Sequence, residues 1–372
     1  MKKILIPVFI LFQLTLLQAA EVPILKIGEP APDFALKGTD GKIWKLSDFD
    51  TSRILMIVFT ANHCPTAQAY EQRLIALSKK YQEKDLRVVA ISPNNPDAVC
   101  LEELGYSDLG DSYEEMKVRA SDADFPFPYL YDGDDQKTAL AYGPVATPHV
   151  FIFDRERKLR YCGRIDDTEN PYAVPVKRDA ENAIKALLTG APVPVETTRV
   201  FGCSIKWISK KEWKKQLDEE WASKEVSLLP ADLDTIKALR KNAGEKYRLV
   251  NVWATWCGPC VIEFPELVNM QRMYGNRNFE LVTISADQPA REMTVLDFLR
   301  KKDAAVSNYL YTGASMDELA EALYPAWQGN LPLTLLLAPG GEVVYSHDGI
   351  IDPLELRKEI VARLGRFFAD DK

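Results

Sequence analysis

The sequence predicts an α/β protein made of two units of one architecture, each a mixed central sheet flanked by helices. Three observations carry this. Two stretches with almost no polar alternation, Ile54 to Phe59 and Leu249 to Ala254, read as strands buried on both faces. Each runs into a cysteine at the start of a helical pattern, Cys64 in one case and Cys257 in the other. Each is then followed by a second apolar strand, a long excursion, a proline before a strand, a hairpin and a closing helix. At about 150 residues per domain, a chain of 372 residues suits two units, both long enough to bury a core.

Composition is that of an ordinary globular chain, 47% apolar and 27% charged. A net charge of -8 gives no reason to expect nucleic acid as a partner. The basic tip Lys2-Lys3, the apolar run Ile4 to Leu17 and Gln18-Ala19-Ala20 read as a secretory signal peptide cut near Ala20. The run is too short and wrongly flanked for a stable membrane span. The expected product is therefore a soluble, exported, periplasmic protein with its six cysteines in an oxidising compartment. The expected divisions are 1–20 (signal peptide), 21–190 (first unit), 191–204 (linker) and 205–372 (second unit).

In the first unit, Asp33 to Leu36 and Ile43 to Leu46 flank Thr39-Asp40-Gly41, a hairpin signal. The buried strand Ile54 to Phe59 follows. Pro65 suits a first helical turn, so Cys64 is placed at the N-terminus of a helix carrying Leu74, Ile75 and Leu77. Leu86 to Ile91 is the next strand. Residues 97–130 form an excursion with a helix around Tyr113 to Arg119. Val150 to Phe153 and Leu159 to Tyr161 make a hairpin, and a helix from about Val176 to Leu188 closes the unit. Gly190-Ala191-Pro192-Val193-Pro194-Val195 reads as a stiff, extended connection.

Lys206 to Glu220 reads as a charged surface helix with its tryptophans packed inward, and Leu233 to Asn242 as a further helix. The second core then runs strand, dithiol turn, helix to about Tyr274, strand Phe279 to Ser285 and helix Arg291 to Lys301. After an excursion to Asn330 come the hairpin Leu333 to Leu337 and Val343 to Tyr345, and the helix Pro353 to Leu364. Gly340-Gly341 joins two short apolar strands and reads as a turn, not as a nucleotide loop.

The chemistry centres on Trp256-Cys257-Gly258-Pro259-Cys260. Two cysteines separated by two residues close a small disulfide, and free N–H groups at a helix start stabilise a thiolate on the first. Zinc also takes this spacing, but no second such pair lies nearby. With this pentapeptide, its flanking strand and helix, and Pro332, the second unit resembles thioredoxin from about residue 248 to 365. The resemblance implies disulfide exchange with Cys257 attacking and Cys260 resolving, no cofactor beyond the cysteines, and an external thiol donor. It assigns Pro332 to the cis proline bordering the site, Pro259 and Gly258 to the tight turn, and Trp256 to an apolar docking lip. Asn251 stands where thioredoxin carries a buried aspartate. Glu263, one helical turn after Cys260, matches the glutamate of exported thioredoxin-like reductases of cytochrome c maturation.

The first unit resembles the redoxin branch of the same superfamily, which includes the peroxiredoxins, through its Pro30-Ala31-Pro32-Asp33-Phe34 opening and Cys64. The second cysteine position of the motif holds Ala67. Where peroxiredoxins carry Thr or Ser and Pro, three and seven residues before the cysteine, this chain has Ala61 and Ile57. Cys64 is thus expected to be a reactive monothiol that depends on another cysteine. Cys100, Cys162, Cys203 and the second unit are the candidates, and the four cysteines outside the central pair allow three complete pairings. His63 and His149, flanking Cys64 and Pro148, are candidates to depress the Cys64 pKa, with a hydrogen-bonded structural histidine as the equal alternative for each and a soft-metal site as the lesser one; no metal is expected. Pro148 corresponds to the cis proline of the first unit.

These features favour an exported thiol–disulfide oxidoreductase acting on disulfide-containing proteins and recharged by a redox donor protein. Two other readings remain: Cys64 as a thiol peroxidase regenerated by the second unit, and the first unit as a non-enzymatic module that binds protein or copper.

Overall fold

A computed structural model describes residues 22–368. The expected signal peptide lies outside them. The first unit contains β1 (Ala35–Gly38), β2 (Ile43–Lys45), β3 (Ile54–Phe59), α1 (Pro65–Tyr81), β4 (Leu86–Ser92), α2 (Tyr113–Asp122), β5 (Tyr129–Tyr131), α3 (Lys137–Tyr142), β6 (Ala146–Thr147), β7 (His149–Phe153), β8 (Leu159–Gly163) and α4 (Asp179–Thr189). After β9 (Cys203–Ser204) come α5 (Lys211–Ala222), β10 (Leu229–Ala231), α6 (Leu233–Lys241), β11 (Tyr247–Trp253), α7 (Gly258–Tyr274), β12 (Phe279–Ser285), α8 (Glu292–Lys301), β13 (Ser307–Tyr311), α9 (Met316–Leu323), β14 (Leu333–Leu337), β15 (Val343–Asp348) and α10 (Pro353–Leu364).

Both large sheets are mixed. The first has the order β2-β1-β5-β4-β3-β7-β8 and the second β10-β13-β12-β11-β14-β15. In each, the strand that leads into the cysteine turn (β3 or β11) is central, parallel to one neighbour and antiparallel to the other. All six residues of β3 are buried because both faces are covered. Strand alternation divides them: Ile54, Met56 and Val58 pack with residues of α1 and α4, while Leu55, Ile57 and Phe59 pack with Tyr142 of α3 and Trp44. Full burial of each such aliphatic side chain is worth about 1.5–3 kcal/mol. In β11 the same alternation turns Val250 and Val252 toward α6 and α9 and Leu249 toward α7 and α10.

The structure corrects the sequence reading in several places. β5 and α3 of the first unit, and β10, β13 and α9 of the second, were not expected. They are segments of three to eight residues, too brief to show a sustained period. The expectation that the tryptophans of the charged helix pack inward fails for Trp213 on α5, which is 58% exposed. α5 buries none of its residues fully, and only Trp221 reaches a core, beside Phe298 and Val306. By contrast, the alternative reading of the sequence, that residues 197–207 are ordered against the first unit, agrees with the contacts there: Cys203 pairs with Thr147, Ile205 is buried, and the Lys206 carbonyl accepts the Asn95 N–H at 2.9 Å.

The two units share an apolar contact. Val99 and Leu104 of the first excursion pack into the cluster of Leu267, Met270, Met273 and Leu356. Around it, the Tyr274 hydroxyl donates to the Ser107 carbonyl at 2.9 Å, and Arg277 to that of Gly105 at 2.8 Å. Arg272 pairs with Glu102, and Arg366 with Asp108 at 2.7 Å. Gly105 allows this approach, since a Cβ there would meet the Met273 carbonyl at 3.0 Å.

Candidate active site

Cys257 is the N-cap of α7, with extended backbone angles, and its sulfur accepts the Cys260 N–H at 3.3 Å. Gly258 and Pro259 occupy the first turn, where the absent proline N–H leaves no helix bond unmade. The two cysteines form a disulfide. Cys257 is 6% exposed and Cys260 0%, whereas Trp256 beside them is 64% exposed. The first sulfur is thus the one nearer solvent, next to a projecting indole. Pro332 follows a cis peptide bond and leads into β14, which pairs with β11.

Glu263 lies one turn beyond Cys260 on the buried side of α7. Its Oε1 accepts from Asn251 Nδ2 and its Oε2 from the Ile351 N–H, both at 2.9 Å. Burial pushes the Glu263 carboxyl above its usual range, against those two donors. Asn251 also donates to Thr334 Oγ1 at 3.0 Å, so an amide links the carboxylate to β14. The turn before the dithiol is held by Asp287, which accepts from the Thr255 N–H at 2.7 Å, the Thr255 hydroxyl at 2.6 Å and the Ser285 hydroxyl at 3.0 Å.

The first unit repeats this plan with different chemistry. Cys64 is the N-cap of α1, 0% exposed; its sulfur accepts the Ala67 N–H at 3.4 Å and lies 3.1 Å from the Thr147 carbonyl oxygen. Ala61, Ala67 and Cys203 surround it. Burial opposes the thiolate, but the Cys203 thiol, the His63 charge, Thr147 and the Ala67 N–H outweigh it and hold the Cys64 pKa down at about 6. His63 Nδ1 is 2.6 Å from Asp111 Oδ2, both buried. Burial disfavours the imidazolium, yet Asp111 raises its pKa above the ordinary histidine value. Asp111 also accepts from the N–H groups of Asn62 and His63 and from Asn94 Nδ2.

His149 follows the cis-bonded Pro148 but faces away from this cluster. Its Nδ1 accepts the Val145 N–H at 3.3 Å, so Nε2 holds the proton and points at Cys162 Sγ, 3.2 Å away. Burial lowers its pKa to about 3 and raises that of Cys162 to about 12. Cys100 is likewise raised, to about 11, by burial and by Glu103 and Glu102. The structure therefore brings His63, Cys64 and Cys203 together and separates His149, Cys100 and Cys162 from them. Among the described residues no group of three or more His, Cys, Asp or Glu side chains is arranged to hold a metal ion.

Asp111 and Asp287 were missed from the sequence. Each is a lone acid distant in the chain from the cysteine turn it holds, with only its place past a strand or loop as a signal.

Residues 27–162 match the AhpC/TSA family, and residues 222–349 match the Redoxin family. The thiol–disulfide oxidoreductase ResA of Bacillus cereus is 27% identical over 113 residues, covering 30% of this chain and 61% of the relative. A protein of Helicobacter pylori bearing a peroxiredoxin name, bcp, is 31% identical over 71 residues, covering 19% of this chain and 47% of the relative. The chain thus spans about half the length of these curated relatives. An uncharacterized conserved protein from Geobacillus kaustophilus is 38% identical over 49% of this chain and 92% of its own, with a TM-score of 0.44.

Proposed function

This chain belongs to the thioredoxin superfamily, with two of its domains in tandem, and from that premise we propose that it is an exported thiol–disulfide oxidoreductase whose second unit reduces disulfides in proteins. The observation that carries this reading is the Cys257–Cys260 pair capping α7 beside a buried carboxylate. In the reduced form, the helix N-terminus favours a thiolate on Cys257, which attacks one sulfur of the substrate disulfide and releases the other as a thiolate. Cys260 then loses its proton, attacks Cys257 Sγ, breaks the mixed disulfide and releases the second substrate thiol. Glu263 is the nearby base for that proton, its raised pKa bringing it closer to the pH at which it works. A dithiol donor protein reverses the sequence to recharge the pair.

Trp256 supplies the apolar surface on which a substrate segment rests, and Pro332 borders that surface. The signal-like residues Lys2 to Ala20 support export. Among the described residues no helix is long and apolar enough to cross a membrane. We place the border between the units after Trp207, because Trp207 packs on the first core with Phe34 and Phe49.

The test is reduction of insulin disulfides by the full chain with dithiothreitol as donor. Activity should be lost in Cys257→Ser and retained in Cys64→Ser; loss in the second variant with the first unaffected would reverse the assignment.

A further inference from the structure

Cys203 lies in neither family match, since these end at residue 162 and resume at 222. It is nevertheless built into the first site. β9 pairs antiparallel with β6, Thr147 opposite Cys203, and the Thr147 hydroxyl donates to the Cys203 carbonyl at 3.5 Å. The side chain of Cys203 packs on the cluster of Ala61, Cys64 and Ala67. Gly202 makes the approach possible: its φ is +141°, and a Cβ there would stand 2.0 Å from the Thr147 carbonyl oxygen. The chain therefore returns past its final helix to lay one thiol over another. Cys64 is wholly buried beneath, while Cys203 keeps part of its surface in solvent.

We propose that Cys64 and Cys203 form a second dithiol–disulfide couple, in which Cys203 meets the partner disulfide and the buried Cys64 resolves. The order is opposite to that of the second unit, where the helix-capping sulfur is the outer one. In the first step Cys203 attacks one sulfur of a partner disulfide, its proton passes to the Cys64 thiolate, and the other partner sulfur leaves as a thiolate. That thiolate takes the proton from Cys64. Cys64 then attacks Cys203 Sγ, the bond between Cys203 and the partner breaks, and the second partner thiolate is released. One disulfide has been exchanged for another and the single proton is conserved. In the reverse direction a donor thiolate strikes the accessible Cys203 sulfur and Cys64 departs as a thiolate stabilised at the α1 N-terminus. A thiol of low pKa is the better leaving group. The low pKa of Cys64 fits its part as that leaving group. The proposal does not rest on the chemistry of Cys257 and Cys260.

The test uses the full chain carrying Cys257→Ser and Cys260→Ser, incubated reduced with glutathione disulfide and mapped by mass spectrometry, with circular dichroism confirming the fold. The expected product is a Cys64–Cys203 linkage. Adding Cys64→Ser should leave a stable glutathione adduct on Cys203; adding Cys203→Ser instead should leave Cys64 unmodified over the same time. Gly202→Ala, which keeps both thiols but displaces β9, should slow the linkage. Pairing of Cys64 with Cys100 or Cys162 would overturn the proposal, as would an adduct forming on Cys64 of the Cys203→Ser chain as fast as on Cys203 of the Cys64→Ser chain.

Discussion

At the scale of single residues, the two sites differ in the titratable group that lies near the sulfur. Glu263 sits one turn from Cys260 with both oxygens accepting N–H bonds. Glu263→Gln removes the base but keeps the shape, and should slow release from the mixed disulfide on the order of a hundredfold, abolishing the pH step in that rate. Stopped-flow measurement of substrate release checks this, and an unchanged rate and profile would remove Glu263 from the mechanism. Cys64 should titrate near pH 6 in the thiolate absorbance of the Cys257→Ser, Cys260→Ser chain. Because its folded pKa lies below the ordinary thiol value, its ionisation stabilises the fold fully above that ordinary value. The contribution shrinks as pH falls toward 6 and is gone below it. Asp111→Asn takes the charge partner from His63 and should move the transition upward. Cys257 and Cys260 were legible in the sequence by their spacing, and Glu263, Pro148 and Pro332 through the resemblance to the thioredoxin family. Asp111, Asp287 and the contact of Cys203 with Cys64 were not, since each depends on chain segments brought together only by folding.

At the scale of elements, each cysteine turn is a strand end, a capped helix start and a carboxylate borrowed from elsewhere. In the second unit Asp287 holds Thr255 by its N–H and hydroxyl. Asp287→Ala leaves those part-buried donors without their acceptor and should cost about 1–3 kcal/mol, read by urea unfolding, together with slower disulfide exchange. A variant as stable and as fast as the native chain would show that the turn holds itself. Elements with long apolar runs or strong end signals were readable: β12, β14 and α10 begin and end where the sequence places them. The short β5, β10 and β13 take their strand form from pairing against their neighbours, information that a three- to five-residue stretch does not carry alone.

At the scale of the molecule, Val99 and Leu104 tie the first excursion into the core around α7 and α10. Leu104→Ala should cost about 2–4 kcal/mol and separate the unfolding of the two units in calorimetry; a single unshifted transition would show that the contact is incidental. The central claim is that one half of this tandem chain exchanges disulfides through an outer Cys257 and an inner Cys260. The most direct measurement is trapping with a disulfide-bearing protein substrate in paired variants of the full chain that also carry Cys64→Ser and Cys203→Ser. Cys260→Ser should accumulate a mixed disulfide through Cys257, and Cys257→Ser should trap little. Equal trapping by the two variants, or trapping chiefly through Cys260, would contradict the account.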